Sequence, residues 1–292
     1  MTTFGRLEQI ISGMGFTEGP LWMPDHQQLL FTDIPRNRIW SWSEDGGQAE
    51  WLNGSHFAIG LARSLDGNVL ACEHTTRSLT SLEVDDQGRW AGRRQVLARG
   101  VGGRILNSPN DVIVTPTGEI LFTDPPFGVR EEDAELTGYE QAMERPCDVL
   151  AVTRDPDNAR VAVTGIYRPN GLCHSLDGDV LYVSDSSTRV RSVLAVRSDG
   201  LAEPIWTMPN GVPDGMTVDA EGDIWVGGGD GVYVISETGQ LRGHVPVPEM
   251  VTNVCFGGSD MTSLFITASS GVYRLFDAGL GAVPSGTAAT SS

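Results

Sequence analysis

Four residues carrying oxygen donors recur at one phase of the sequence: Glu18 in FTEGP, Asn110 in NSPND, Asn170 in RPNGL and Asp214 in VPDGM. Each stands seven residues before a turn residue, namely Asp25, Thr117, Asp177 and Glu221. Taken singly, Asn-Gly, Asp-Gly and Pro-Asn are ordinary turn dipeptides. Taken together, two carboxylates and two carboxamides in matching phase converge on one point when the repeats are arranged in a ring. Two carboxylates balance a divalent charge, and an all-oxygen set suits a hard cation such as Ca²⁺, Mg²⁺ or Mn²⁺. The same position is Ile59 in the second repeat and Thr252, beside Asn253, in the sixth.

The repeat that sets this phase has six units, each a turn followed by a short β-forming run. Pro24-Asp25 precedes LLFTD, Leu65-Asp66-Gly67 precedes VLACEH, and Pro116-Thr117-Gly118 precedes ILFTD. Leu176-Asp177-Gly178 precedes VLYVSD, Ala220-Glu221-Gly222 precedes IWVGG, and Ser259-Asp260 precedes LFITAS. The steps between turns are 41, 51, 60, 44 and 38 residues. Periods of roughly 40 to 50 residues accommodate four short strands each. The expected fold is all-β, a six-bladed β-propeller with four antiparallel strands per blade.

Length alone, at 292 residues, would suggest two domains. The repeat instead assigns residues 1–277 to a single propeller domain and 278–292 to a flexible, small and polar C-terminal tail. Leu7 to Ile11 has no hairpin partner of its own. It is expected to complete the last blade beside Val251–Phe256, Ser263–Ala268 and Gly271–Phe276, closing the ring and removing an exposed sheet edge. The two longest steps flank Thr117, and their excess falls in Phe127–Cys147, which reads equally as a solvated acidic loop or as a lid.

Composition narrows the function. There are 38 acidic and 20 basic side chains, a net charge of −18, and every basic residue is arginine. Without lysine there is no Schiff-base aldolase, no pyridoxal enzyme and no P-loop nucleotidase. The acidity argues against a nucleic-acid partner. No apolar run approaches the ~18 residues that span a bilayer, and the N-terminus does not read as a signal peptide. Cys72, Cys147, Cys173 and Cys255 form no C-x-x-C and read as free thiols of a reducing, cytoplasmic setting. Neither G-x-S-x-G nor H-E-x-x-H occurs, and the five histidines show no ligand spacing. Asp33, Asp124 and Asp185 end the second strands of their repeats and are expected to bond neighbouring loops. Trp22 and Trp225, set in apolar runs, are expected in the core. Oligomeric state is not legible.

From Glu18 to Phe276 the sequence resembles the SMP-30/gluconolactonase family of six-bladed propellers, which also includes the diisopropylfluorophosphatase-like hydrolases. The motifs that carry the resemblance are EGPLW (18–22), LNSPNDVIV (106–114) with LFTDPPFG (121–128), PNGL (169–172), PDGMTVDAEGDIWV (213–226) and CFGGSD (255–260). LNSPND with FTDPPFG is more similar to bacterial sugar-lactone hydrolases than to the animal branch. The resemblance implies that Glu18, Asn170 and Asp214 ligate a divalent metal, with Asn110 beside it as a further ligand or substrate contact. Ca²⁺ is the first expectation, with Mg²⁺, Mn²⁺, Zn²⁺ or Fe²⁺ as alternatives. The implied reaction is hydrolysis of a small-molecule lactone, an aldonolactone above all, whose carbonyl the metal polarises for attack by water. Asp214 could also relay the proton from water to the leaving oxygen. Phosphoester or fluorophosphate hydrolysis, or ligand binding by a propeller with a structural cation, are the alternative readings. The animal branch carries an arginine two residues before the Asn of N-D, and here that position is Ser108. Asn107 and Arg104 are the nearby candidates for substrate binding.

Overall fold

The computed structural model describes residues 4–129 and 147–282. Six four-stranded antiparallel sheets follow one another along the chain. The inner strands are Thr17–Met23, Ala58–Arg63, Val112–Val114, Pro169–His174, Pro213–Val218 and Val251–Gly257. In the first five blades the chain runs outward strand by strand, as in Thr17–Met23, Gln28–Asp33, Arg38–Ser43 and Gly47–Asn53 of blade 1. The sixth supplies only three strands before the ring closes. Leu7–Ile11 fills the fourth place, pairing antiparallel with Gly271–Leu275 in the register Leu7↔Leu275 and Gln9↔Tyr273. The expected six-bladed propeller and its N-terminal closure are both present.

Local chemistry makes the repeat. Between inner and second strands, Gly67 and Gly178 lie at φ +85° and +79°, a conformation that a side chain resists. Their N–H groups bond Ser64 O at 3.0 Å and Ser175 O at 3.0 Å, closing tight hairpins. Blades 1 and 6 lack this glycine and use Gln27 (φ 48°) and Met261 (φ 59°) instead.

The hydrophobic core is divided among the interfaces between blades. Met23, Leu30, Ile39 and Leu52 of blade 1 pack on Leu61, Val69, Ala71 and Leu82 of blade 2. Equivalent apolar layers join each following pair, and Trp22, Leu29 and Phe31 meet Phe265 and Val272 where blade 6 returns to blade 1. Each sheet is therefore apolar on both faces, and no blade can bury itself alone. Trp225 is 2% exposed and Trp22 is 9% exposed, stacked on Phe265 at 5.3 Å, so both belong to the core. None of the four cysteines is in a disulfide among the described residues, and Cys72, Cys147 and Cys173 are buried. Ala278 is buried against blade 6, and Gly281 bridges to Asp219 of blade 5; residues 283–292 lie outside the described residues. Among the described residues no helix is long and apolar enough to cross a membrane.

Candidate functional site

Glu18, Asn170 and Asp214 are each the second residue of an inner strand, and Asn110 lies two residues before the inner strand of blade 3. A hydroxyl from the second strand of the preceding blade fixes the backbone of two of them. Thr123 Oγ1 donates to Asn170 O at 2.9 Å, and Ser184 Oγ donates to Asp214 O at 2.6 Å. Thr32 Oγ1 does the same for Ile59 O at 3.1 Å. Asn110 is held through its backbone by Gly60 N (2.8 Å) and Thr123 O (3.0 Å). The hydroxyls are wholly buried, so the donors stand on a rigid inner ring.

Glycines let the inner strands converge. A Cβ on Gly171 would lie 2.4 Å from Asp214 O and 2.6 Å from Gly215 Cα, and one on Gly19 would lie 2.1 Å from Ile59 O. Gly171→Ala is therefore expected to push blades 4 and 5 apart beside Asn170 and Asp214. The overpacking cost is about 1–3 kcal/mol, and a lowered melting temperature with weakened cation binding is the expected result. An unchanged melting temperature would show that the ring is looser than described.

The ring is desolvated and strongly acidic. Glu18 is 5% exposed, and burial pushes its carboxyl up to about 7 despite hydrogen bonds from Gly19 and Asn253. Asp111, the neighbour of Asn110, is raised to about 7, by burial first and by the charge of Glu18 second. Asp214 is raised well above the carboxylate range by burial, then by Glu18 and Asp111, although Asn170 and Gly215 hydrogen-bond it. Its Oδ1 is buried without a partner. Among the described residues no Arg or His forms an ion pair with any of the three. Three carboxylates that repel one another at close quarters, one with an orphaned oxygen, fit a cation as the missing partner. Carboxylate and amide oxygens are hard donors of the kind that Ca²⁺, Mg²⁺ and Mn²⁺ take. No group of three His, Cys, Asp or Glu side chains forms a cage of its own among the described residues; the amides of Asn110 and Asn170 are further oxygen donors that could add to such a set.

A family model describing the SMP-30/gluconolactonase/LRE-like region matches residues 16–270, which take in all four donors. The chain belongs to this family. A gluconolactonase from Zymomonas mobilis is 29% identical over 92% of this chain and 80% of its own length. A pentonolactonase from Haloferax volcanii is 29% identical over 87% of this chain and 81% of its own. The solved structure of a gluconolactonase from Xanthomonas campestris superposes with a TM-score of 0.81 at 32% identity, covering 93% of this chain and 89% of that one.

The other candidates of this family member occupy different places. Asn107 is clamped to Asp124: its N–H donates to Oδ2 at 2.8 Å and its Nδ2 donates to Asp124 O at 2.9 Å. Ser108, where the animal branch has arginine, is fully buried, donating to Pro125 O at 2.6 Å and accepting Gly128 N–H at 2.8 Å. It fastens the FTDPPFG loop. Arg104 is exposed on the small hairpin Gly100–Val101/Arg104–Ile105, and no bond from it to the four donors is formed among the described residues. Of the Phe127–Cys147 segment, residues 130–146 lie outside the described residues.

Asp33, Asp124 and Asp185 accept loop N–H groups, as the sequence suggests. Asp33 takes Gly15 and Phe16, Asp185 takes Tyr167, Arg168 and Ser187, and Asp124 takes Asn107. Glu73 ends the second strand of blade 2 and bonds the hydroxyls of Thr76 and Thr80 instead. His74 packs against Gly128, and burial lowers its imidazole to about 4.

Sequence reasoning missed Asp111 as a member of the acidic cluster and passed over Asn253. The signal lay one position further on. After the donor the six repeats read Gly19, Gly60, Asp111, Gly171, Gly215 and, in the sixth, Asn253. The two exceptions to glycine are the two residues missed.

Proposed function

We propose that the protein is a divalent-cation-dependent sugar lactonase that opens an aldonolactone to its open-chain acid. The observation that supports this most strongly is the buried, unpartnered Oδ1 of Asp214 beside Glu18 and Asp111. It stands in a chain whose relatives include lactonases of six- and five-carbon sugars. Glu18, Asn170 and Asp214 would hold the cation, with Asn110 as a fourth ligand or a contact to substrate. When bound, the cation supplies Lewis-acid polarisation of the lactone carbonyl and relief of the charge that develops on its oxygen. The chain supplies the geometry, since the donors' strands are pinned by Thr123 and Ser184 and need no rearrangement on binding. Asp214 also moves a proton. Its carboxylate takes one from the attacking water and returns it to the ring oxygen as the ester bond breaks. Asn107 shapes the rim by holding the loop that begins at Asp124, and Arg104 can reach substrate only from the outer edge.

Acid release measured on a panel of six- and five-carbon aldonolactones, with an aryl ester and a phosphotriester as comparators, tests the reading. Turnover fastest on aldonolactones is expected. Turnover on none of them, or faster turnover of the phosphotriester, would overturn it.

A further inference from the structure

Close approach of the inner strands calls for glycine after each donor, and blades 1, 2, 4 and 5 provide it. Blades 3 and 6, which stand opposite one another in a six-fold ring, carry Asp111 and Asn253 at that place. Each side chain occupies the volume that the glycine of the preceding blade leaves free. A Cβ on Gly60 would lie 2.5 Å from Asp111 Oδ1, and one on Gly215 would lie 2.0 Å from Asn253 Oδ1. Both residues are 7% exposed.

Their hydrogen bonds are directional. Asn253 Oδ1 is committed to Val254 N–H at 2.8 Å, so the amide faces the channel as a donor. Its Nδ2 donates to Glu18 Oε2 at 3.2 Å. Asp111 in turn accepts Val112 N–H on Oδ1 at 3.0 Å and Leu172 N–H of blade 4 on Oδ2 at 3.4 Å. The Asn253 amide thus ties the blade 1 carboxylate to blade 6, and Asp111 is tied to blade 4. Gly19 N–H also falls on Glu18 Oε2, at 2.7 Å. With both donors on Oε2, Oε1 is the oxygen left for a cation.

We propose that Asn253 is a positioning residue of the metal centre: its amide donates from blade 6 to Glu18 Oε2 of blade 1 and fixes Glu18 with Oε1 turned to the cation. This rests on the cation-dependent reading above. An alternative role, simple filling of space, makes a different prediction for an isosteric change. Asn253→Leu keeps roughly the volume and removes the donor without adding charge. Asn253→Ala removes both. Mn²⁺ affinity of the full chain, measured by calorimetry with circular dichroism as the check on folding, separates the two. Outer-shell partners typically contribute 10- to 100-fold to metal affinity. The expected result is a loss of about that size in Asn253→Leu as well as in Asn253→Ala. Wild-type affinity in Asn253→Leu would overturn the proposal, since volume alone would then suffice. Should Asn253→Leu fail to fold, wild-type affinity in a folded Asn253→Ala would overturn it equally. Wild-type protein that binds no Mn²⁺ would sink the cation-dependent reading and this inference with it, whereas a bound wild type beside an unaffected variant sinks this inference alone.

Discussion

Asp214→Asn is expected to lower lactone turnover by at least about 10²–10³-fold, the loss that follows removal of one group stabilising developing charge, while the protein stays folded. The change keeps shape and the ability to accept from Gly215, but it removes one of three mutually repelling carboxylates. Two consequences follow with opposite signs. Cation affinity drops, because only Glu18 and Asp111 remain as negative groups near the donors. The cation-free protein becomes more stable above neutral pH, because a buried charge without a partner is expensive. Full cation content with lost turnover would assign Asp214 the proton relay. Lost cation with lost turnover would assign it ligation. Unchanged turnover would exclude both roles.

The second large effect is on stability, and its sign can be worked out. Glu18 and Asp111 titrate at about 7 in the cation-free fold, against roughly 4 in an unfolded chain. Between those values the folded state holds more protons than the unfolded one, so stability falls as pH rises. The contribution is complete below pH 4 and lost as pH passes through 7. Glu73 and Asp124, both raised to about 7 by burial, act in the same direction. Surface carboxylates with lowered values, such as Asp177 and Asp260, matter only at more acid pH. In chelator, the melting temperature should therefore decline from pH 5 to pH 8. A saturating divalent cation should flatten most of that slope by stabilising the ionised forms of Glu18, Asp111 and Asp214, leaving the part due to Glu73 and Asp124. At a hundredfold excess over Kd the gain at pH 8 is about 2.7 kcal/mol, or roughly 5–10 °C for a chain of this size. Thermal scans at several pH values, with chelator and with Ca²⁺, decide the matter. A melting temperature that rises with pH in chelator, or that ignores Ca²⁺ at pH 8, would contradict the description of the site.

The propeller was legible because its period is written in turns: the glycines of LDG and TG must occupy left-handed backbone, and their spacing is that of a blade. Closure by Leu7–Ile11 was legible because a strand without a hairpin partner has to pair elsewhere. The four candidate donors were singled out by phase, which places Glu18, Asn170 and Asp214 each second in an inner strand and Asn110 just before one. Electrostatic neighbourhood was not. Asp111 follows Asn110 in sequence, yet its weight comes from facing Glu18 and Leu172 across the ring, a relation that no local pattern expresses. Asn253 was obscured because a single amide in an apolar strand carries no signal until the glycines of the other blades are set beside it. The rim was the least legible part. Asn107 and Arg104 are the candidates by position, yet Asn107 gives its N–H and Nδ2 to Asp124, and the neighbouring Ser108 is committed to Pro125 and Gly128.

In the proposed mechanism a single divalent cation, held by Glu18, Asn170 and Asp214 with Asn110 as a fourth ligand or substrate contact, drives lactone hydrolysis. Acid release from an aldonolactone is measured on protein stripped with chelator and checked for metal content, then during stepwise addition of Ca²⁺, Mg²⁺ or Mn²⁺. A fall of at least about 10²-fold on stripping is expected, with recovery that saturates at one cation per chain. Full turnover in verified metal-free protein would contradict it.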